Sequence, residues 1–242
     1  MLSKSQVKYI QSLGHKKFRD ETGLFIAEGP KTVLELVSEI PQNIVTVYAV
    51  EEWINENIKF VRGLDFVKID EAELERISQL PAPNQVVAIV KKFKIENIDT
   101  AGKLTIALDT IQDPGNLGTI IRIADWFGIK QIVASHESAD IYNPKVVQST
   151  MGSIARVSVM YTDLKEWLKK QNVKIIAAAL DGKNINEIEK IKEAILIIGN
   201  ESRGIDAGIM KMATEKITIP KAGKAESLNA AVATGIILSR II

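Results

Sequence analysis

The chain has 242 residues, with 31 Lys+Arg against 30 Asp+Glu, 46% hydrophobic residues and no cysteine. That length supplies one or two domains with ample core, and a 25% charged content at near-neutral balance excludes a wholly disordered acidic or basic chain. The absence of cysteine excludes disulfides, zinc thiolates, iron–sulfur clusters and thiol nucleophiles, and two histidines, His15 and His136, exclude a histidine-rich metal site.

Residues 1–19 carry Lys4, Lys8, Lys16, Lys17 and Arg19 and no acid. Such a basic start is either a solvated face or a contact for a polyanion, because clustered Lys and Arg neutralise phosphates and release counterions. Ser3 and Gln6 have capping-box spacing and predict a short amphipathic helix over VKYIQSL. GHKKFRDETG reads as a polar turn and LFIAEG as a strand. Pro30 suits the first turn of a helix over TVLELVSEI. IVTVYAV and DFVKID read as strands, and Asp70 with Glu73 repeats the capping box before AELERISQL. PAPNQ breaks that helix and VVAIV forms a last strand, so residues 1–90 make a small α/β domain.

The Lys-rich segment 91–103 is the expected linker. From 104 to 242 the strands LTIALD, QIVAS, ARVSV, VKIIAAAL, AILIIG and KITIP alternate with helical stretches. Near-continuous apolar strands between helices indicate a parallel sheet covered on both faces. No apolar run reaches the roughly 18–20 residues of a membrane span, and no signal-peptide pattern opens the chain. A soluble, cytoplasmic α/β protein without metal is therefore expected.

In open α/β sheets, ligands bind outside the carboxyl ends of the strands. Three strand ends here share a loop rich in Gly, Asn, Pro or Ser. After LTIALD, Asp113-Pro114-Gly115-Asn116 is a turn, with Asn116 able to cap the next helix and Arg122 six residues on. This is either a turn, a cap and a surface arginine, or a guanidinium whose rigid fork meets an oxyanion. After AILIIG, Gly199 and Gly204 bracket Asn200-Glu201-Ser202-Arg203 and permit close backbone approach to a ligand. The spacing fits neither a dinucleotide fingerprint nor a P-loop. After KITIP, Ser227, an ordinary helix cap, and Asn229 open the last helix with Glu226 beside them, and no nucleophile elbow or Ser-His-Asp set accompanies them.

Taken together, N-x-G-x-x-x-R, IIGNESRGI and I-P-x6-S-L-N-x3-A resemble the three motifs of the SpoU/TrmH branch of the SPOUT RNA methyltransferases. Asn116, Gly118 and Arg122 match the first motif. Gly199, Asn200, Glu201 and Gly204 match the second, and Ile219, Pro220, Ser227, Leu228 and Asn229 the third. Residues 1–90 resemble the substrate-binding domain of ribosomal-RNA members. The resemblance implies a trefoil-knotted parallel-sheet domain, a homodimer, S-adenosylmethionine as cofactor and 2′-O-methylation of a ribose in ribosomal RNA. It implies Arg122, Asn116, Glu201, Ser227 and Asn229 as catalytic residues. Gly199, Asn200, Ile219, Ser227 and Leu228 are implied at the cofactor, with Lys16, Lys17 and Arg19 as the candidate RNA contact.

One departure stands out. Relatives read K-V-V-R-A-S where this chain has Lys145-Val146-Val147-Gln148-Ser149-Thr150, one charge fewer. Lys221 and Lys224 either compensate or are two exposed lysines. The alternatives are a transfer-RNA methyltransferase of the same family, a knotted RNA-binding protein without catalysis and, more remotely, a nucleotide-dependent dehydrogenase.

Overall fold

The computed structural model describes residues 1–94 and 97–242. The chain divides into two compact units: Met1–Lys94 with Asp140–Arg156, and the remaining described residues.

In the first unit, α1 (Lys4–Ser12) starts at the Ser3 capping box, and Ser3 Oγ accepts from the Gln6 amide at 3.2 Å. The segment expected as a polar turn is helical: α2 spans Lys16–Thr22. Its anchor is Arg19, only 2% exposed, which donates to the Leu13 and Gly14 carbonyls and bridges Asp140 at 2.7 Å. A single buried cation holds this helix, so apolar periodicity could not announce it. Asp140→Ala strands that guanidinium in the interior and is expected to cost about 3 kcal/mol, read from chemical denaturation.

The chain continues through β1 (Leu24–Glu28), α3 (Pro30–Glu39) and β2 (Ile44–Ala49), as the sequence predicts. The next helix, α4 (Glu51–Val61), is not evident in the sequence pattern. It buries Trp53, Ile54 and Val61 but leaves Ile58 and Phe60 exposed, which blurs its apolar stripe. After β3 (Phe66–Lys68), Asp70 caps α5 (Glu71–Ile77) through a second capping box, and β4 (Val86–Lys91) follows. The sheet order is β1-β4-β2-β3, with β4 antiparallel to both β1 and β2. This central position explains why Val86–Val90 is apolar without alternation, since both faces are covered.

Glu28 ends β1 inside this unit, and burial pushes its carboxyl pKa up against the hydrogen bonds from Ser78 Oγ and the Gln79 amide. A raised carboxyl pKa favours the protonated form in the folded state, so its stabilisation is lost as pH rises through the folded value. The melting temperature of Glu28→Gln relative to the native protein is therefore expected to improve between pH 4.5 and 7.5. Parallel curves would contradict the assignment.

In the second unit, β5 (Leu104–Asp109) leads to α6 (Pro114–Trp126) and β6 (Gln131–Ser135). The following helix, α7 (Pro144–Thr150), packs on β1 and belongs to the first unit, although its sequence position lies inside the expected 104–242 domain. The second unit resumes with β7 (Ser158–Thr162), α8 (Leu164–Leu168), β8 (Ile175–Asn184) and β9 (Ala194–Gly199). It closes with α9 (Ala207–Met210), β10 (Glu215–Thr218) and α10 (Ala230–Ile241). The strand expected at ARVSV begins later, because Ser153–Ala155 forms a 3₁₀ turn. The six strands are all parallel, in the order β10-β8-β9-β5-β6-β7. On one face Ala107, Val133, Ile175, Ile195 and Ile197 pack with Leu164 and Leu168 of α8 and Ile209 of α9. Within the expected linker, Lys91 closes β4 and Thr100 donates to Gln171 at 3.0 Å, while Ile95 and Glu96 lie outside the described residues. Among the described residues, no helix is long and apolar enough to cross a membrane.

Candidate active site

The parallel sheet delivers the loops after β5, β8, β9 and β10 to the same end. After β5, Thr110 adopts φ of +59°, a conformation a β-branched residue rarely accepts. It is held there by long-range partners: its amide donates to Ser135 Oγ at 3.0 Å and its carbonyl accepts from Asn200 Nδ2 at 2.9 Å. Asp109, buried beside it, accepts from the Asp206 amide at 2.6 Å. The β5 and β9 loops are thereby tied together at their roots.

The cap of α6 is Asp113, whose Oδ1 accepts from the Asn116 amide at 2.8 Å. This corrects the expectation that Asn116 caps the helix, and it leaves the Asn116 side chain free for other partners. Asn116 Nδ2 donates to Glu201 Oε1 in the β9 loop, and Asn116 Oδ1 accepts from Asn229 Nδ2 at 2.7 Å. Asn229, rather than Ser227, caps α10: its Oδ1 accepts from the Ala231 and Val232 amides at 3.0 and 3.2 Å. The relay Asn229–Asn116–Glu201 thus joins all three motif loops.

In the β9 loop, Asn200 and Gly204 exchange backbone hydrogen bonds of 3.1 and 2.8 Å, and Gly204 takes φ of +69°. A Cβ on Gly199 would stand 2.5 Å from the Gly204 carbonyl carbon, so only glycine fits. Asn200 Oδ1 accepts from the Ser202 and Arg203 amides, at 2.9 and 3.1 Å. Together with its bond to Thr110, this makes the Asn200 side chain a clamp on the loop backbone.

Beside these loops lies a cavity of about 790 Å³. Gly199, Asn200, Glu201, Ile219, Ser227 and Leu228 all line it. Four further lining residues, Ala178–Asp181, were not suggested by the sequence. They belong to an excursion from β8: Lys216 pairs with Ala177 and Ile217 with Lys183, so residues 178–182 leave the ladder between them. Gly182 marks this place, because a Cβ there would stand 2.5 Å from the Ile217 backbone. Lys216 donates to Asp181 at 2.9 Å and holds that carboxyl below its usual pKa.

Arg122 stands apart from the cavity. It is exposed on α6 and makes no hydrogen bond or ion pair among the described residues, so Asn116 and Glu201 bind each other rather than orient it. Lys221 turns back onto its own loop and donates to the Ala225 carbonyl at 3.0 Å, whereas Lys224 is exposed. Lys16 and Lys17 are exposed as expected. Arg19 is withdrawn from the RNA-contacting set, because its guanidinium is buried inside the first unit, bonded through Nη1 and Nη2 while its Nε finds no partner among the described residues. No group of three or more His, Asp or Glu that could hold a metal occurs among the described residues.

Residues 103–239 match the SpoU rRNA Methylase family, and residues 4–88 match the MRM3-like substrate binding domain. The chain is 32% identical over 237 residues to the 23S rRNA (guanosine(2553)-2'-O)-methyltransferase RlmP of Bacillus subtilis, covering 96% of this chain and 94% of that protein. It is 26% identical over 244 residues to the 23S rRNA (uridine(2479)-2'-O)-methyltransferase of Streptomyces viridochromogenes, covering 93% of this chain and 85% of that protein. Among solved structures, the AdoMet-bound rRNA methyltransferase from Sinorhizobium meliloti superposes with a TM-score of 0.84 at 32% identity, over 100% of this chain and 96% of that one.

Proposed function

The chain belongs to the SpoU rRNA methylase family, and from that premise we propose that it transfers the methyl group of S-adenosylmethionine to a ribose 2′-hydroxyl of ribosomal RNA. The observation that carries this reading is the convergence of the three motif loops, linked by Asn229–Asn116–Glu201, beside one cavity.

The cavity's residues fit the cofactor. Ala178, Ala179, Ile198, Ile219 and Leu228 offer apolar walls to an adenine, and Gly199 leaves room for close backbone approach. Glu201, on the cavity wall, would supply negative charge toward the cofactor's cationic groups. The volume lies in the range of roughly 300–1,000 Å³ usual for such ligands. Gly199, Asn200, Ile219, Ser227 and Leu228 would hold the cofactor, which would supply a methyl already activated as an electrophile.

The protein's task is then to place the ribose hydroxyl in line and manage its proton. Arginine stays protonated in proteins, so Arg122 acts as a fixed cation: its fork holds the adjoining phosphate and stabilises the oxygen as its proton passes to solvent water. The relay Asn229–Asn116–Glu201 keeps the three loops in register, and Ser227 presents its hydroxyl on the cavity wall.

Arg122 is solvent-exposed and is not among the residues lining the cavity of its own chain, which fits its being supplied by a second copy. Exposed apolar side chains support that copy: Val232 and Ile236 on α10, Leu228 just before it, and Trp126, 85% exposed, at the end of α6. Exposed aromatic and aliphatic residues of this kind mark association surfaces. Val232→Glu is expected to convert a dimer into a monomer in sedimentation equilibrium, with loss of turnover. A protein monomeric before substitution would remove that copy.

Residues 1–90 serve as the RNA substrate-binding domain, joined through 91–103 to the methyltransferase domain at 104–242, whose chain threads a trefoil knot. The protein works in the cytoplasm, where its substrate is made. The substrate-binding match over 4–88 favours ribosomal over transfer RNA. The deciding experiment is transfer of labelled methyl from S-adenosylmethionine to unmodified 23S ribosomal RNA and to transfer RNA transcripts. Label confined to ribosomal RNA is expected, and label confined to transfer RNA would overturn the substrate.

A further inference from the structure

Helix α2 has an inverted amphipathic order: its buried side chain is Arg19, 2% exposed, while its phenylalanine, Phe18, is 39% exposed. A single exposed apolar residue is ordinary; here the ring lies beside a second ring and two exposed lysines on a helix whose buried position is the arginine that pins it. The pinning is firm. Arg19 holds the Leu13 and Gly14 carbonyls and Asp140, which fixes the rotation of α2 and turns Phe18 outward.

Phe18 does not stand alone. His15 occupies the N-cap position of α2 without a side-chain capping bond, is exposed, and sets its ring 6.4 Å from that of Phe18 at 59°. Lys16 and Lys17 are exposed between them in sequence, and Lys4 and Lys8 are exposed on α1. The neighbouring acids are engaged: Asp20 takes Lys92 at 2.5 Å, and Glu21 faces Lys17 at 3.9 Å.

We infer that His15 and Phe18 form a stacking platform for one unpaired RNA base, with Lys16 and Lys17 on the flanking phosphates. The inference rests on the RNA methyltransferase reading above and names the substrate feature this surface takes: a splayed, single-stranded nucleotide rather than a duplex. Charge selects the polyanion, and the rings select the unstacked base. In A-form duplexes the base faces are stacked away, whereas loops and bulges present them to aromatic side chains.

The test uses the full chain and two fluorescein-labelled probes, an unstructured 20-nucleotide RNA and a 20-base-pair RNA duplex, read by anisotropy. Phe18→Ala and Phe18→Leu are expected to weaken single-strand binding about tenfold, to leave duplex binding unchanged, and to keep the cofactor affinity of the native protein. Phe18→Trp is expected to retain binding, which separates stacking from folding. The pair Lys16→Ala and Lys17→Ala is expected to weaken both probes and to reduce the salt slope. Phe18→Leu binding the single strand as the native protein does would overturn the platform alone. A native protein that binds neither probe nor ribosomal RNA would overturn the platform together with the reading on which it rests.

Discussion

Arg122→Lys is expected to lower kcat for ribose methylation by about two to three orders of magnitude, the range seen when a donor to a developing oxyanion is removed. Lysine keeps the charge but loses the planar fork that grips phosphate and ribose oxygen together. Cofactor affinity, measured by calorimetry, is expected to stay unchanged, because Arg122 is exposed on α6 and lies outside the cavity lining. A variant with native turnover would remove the assigned role. The proposed dimer gives the same residue a second readout. Arg122→Ala co-expressed with a cofactor-deficient variant should regain activity, since a mixed dimer contains one intact cavity facing one intact arginine. No recovery from demonstrated heterodimers would place Arg122 and the cavity of the same chain in one site.

Gly199→Ala is the natural second member of that pair, and its expected effect is comparable. The added methyl would stand 2.5 Å from the Gly204 carbonyl carbon and 2.6 Å from both the Gly204 oxygen and the Ile205 amide nitrogen. These are backbone atoms held by the Asn200–Gly204 bridge, so the loop must move rather than a side chain swing aside. Overpacking of this kind costs about 1–3 kcal/mol. Displacing the loop by an ångström would misplace Glu201, and with it Asn116 and Asn229, at a cost of about a hundredfold in rate. Labelled methyl transfer and cofactor titration on the purified variant check both parts, and an enzyme with native affinity and rate would show that the loop is not a precise cradle.

Much of the site was legible because it sits where local sequence is most constrained. The strands β5, β9 and β10 end in loops that carry Gly, Asn, Pro or Ser, and the motif residues lie at the strand ends, in those loops or in the helices after them. What could not be read were the partners. Asn116 looked like a helix cap because asparagine commonly is one, and only the side chain of Asp113, already seated on the Asn116 amide, shows that it is not. Arg19 looked like one more cation in a basic arm, since nothing local marks its burial. The excursion at 178–182 was hidden inside an apolar run that reads as one strand, and its only trace is Gly182.

Sequence by itself therefore determined the alternation of strands and helices, the three loops and the family. These depend on periodicity, turn residues and spacing, which act over a few positions. The tertiary structure decided which polar atoms meet. Asn116 and Glu201 are 85 residues apart, Asn229 and Asn116 are 113 apart, and Arg19 and Asp140 are 121 apart. Each bond replaces two contacts with water and contributes only about 1 kcal/mol net for the neutral pair and roughly 1.5–3 for those to charged groups. Such small gains leave no periodic trace in the chain, and they are collected only when the parallel sheet brings its strand ends together.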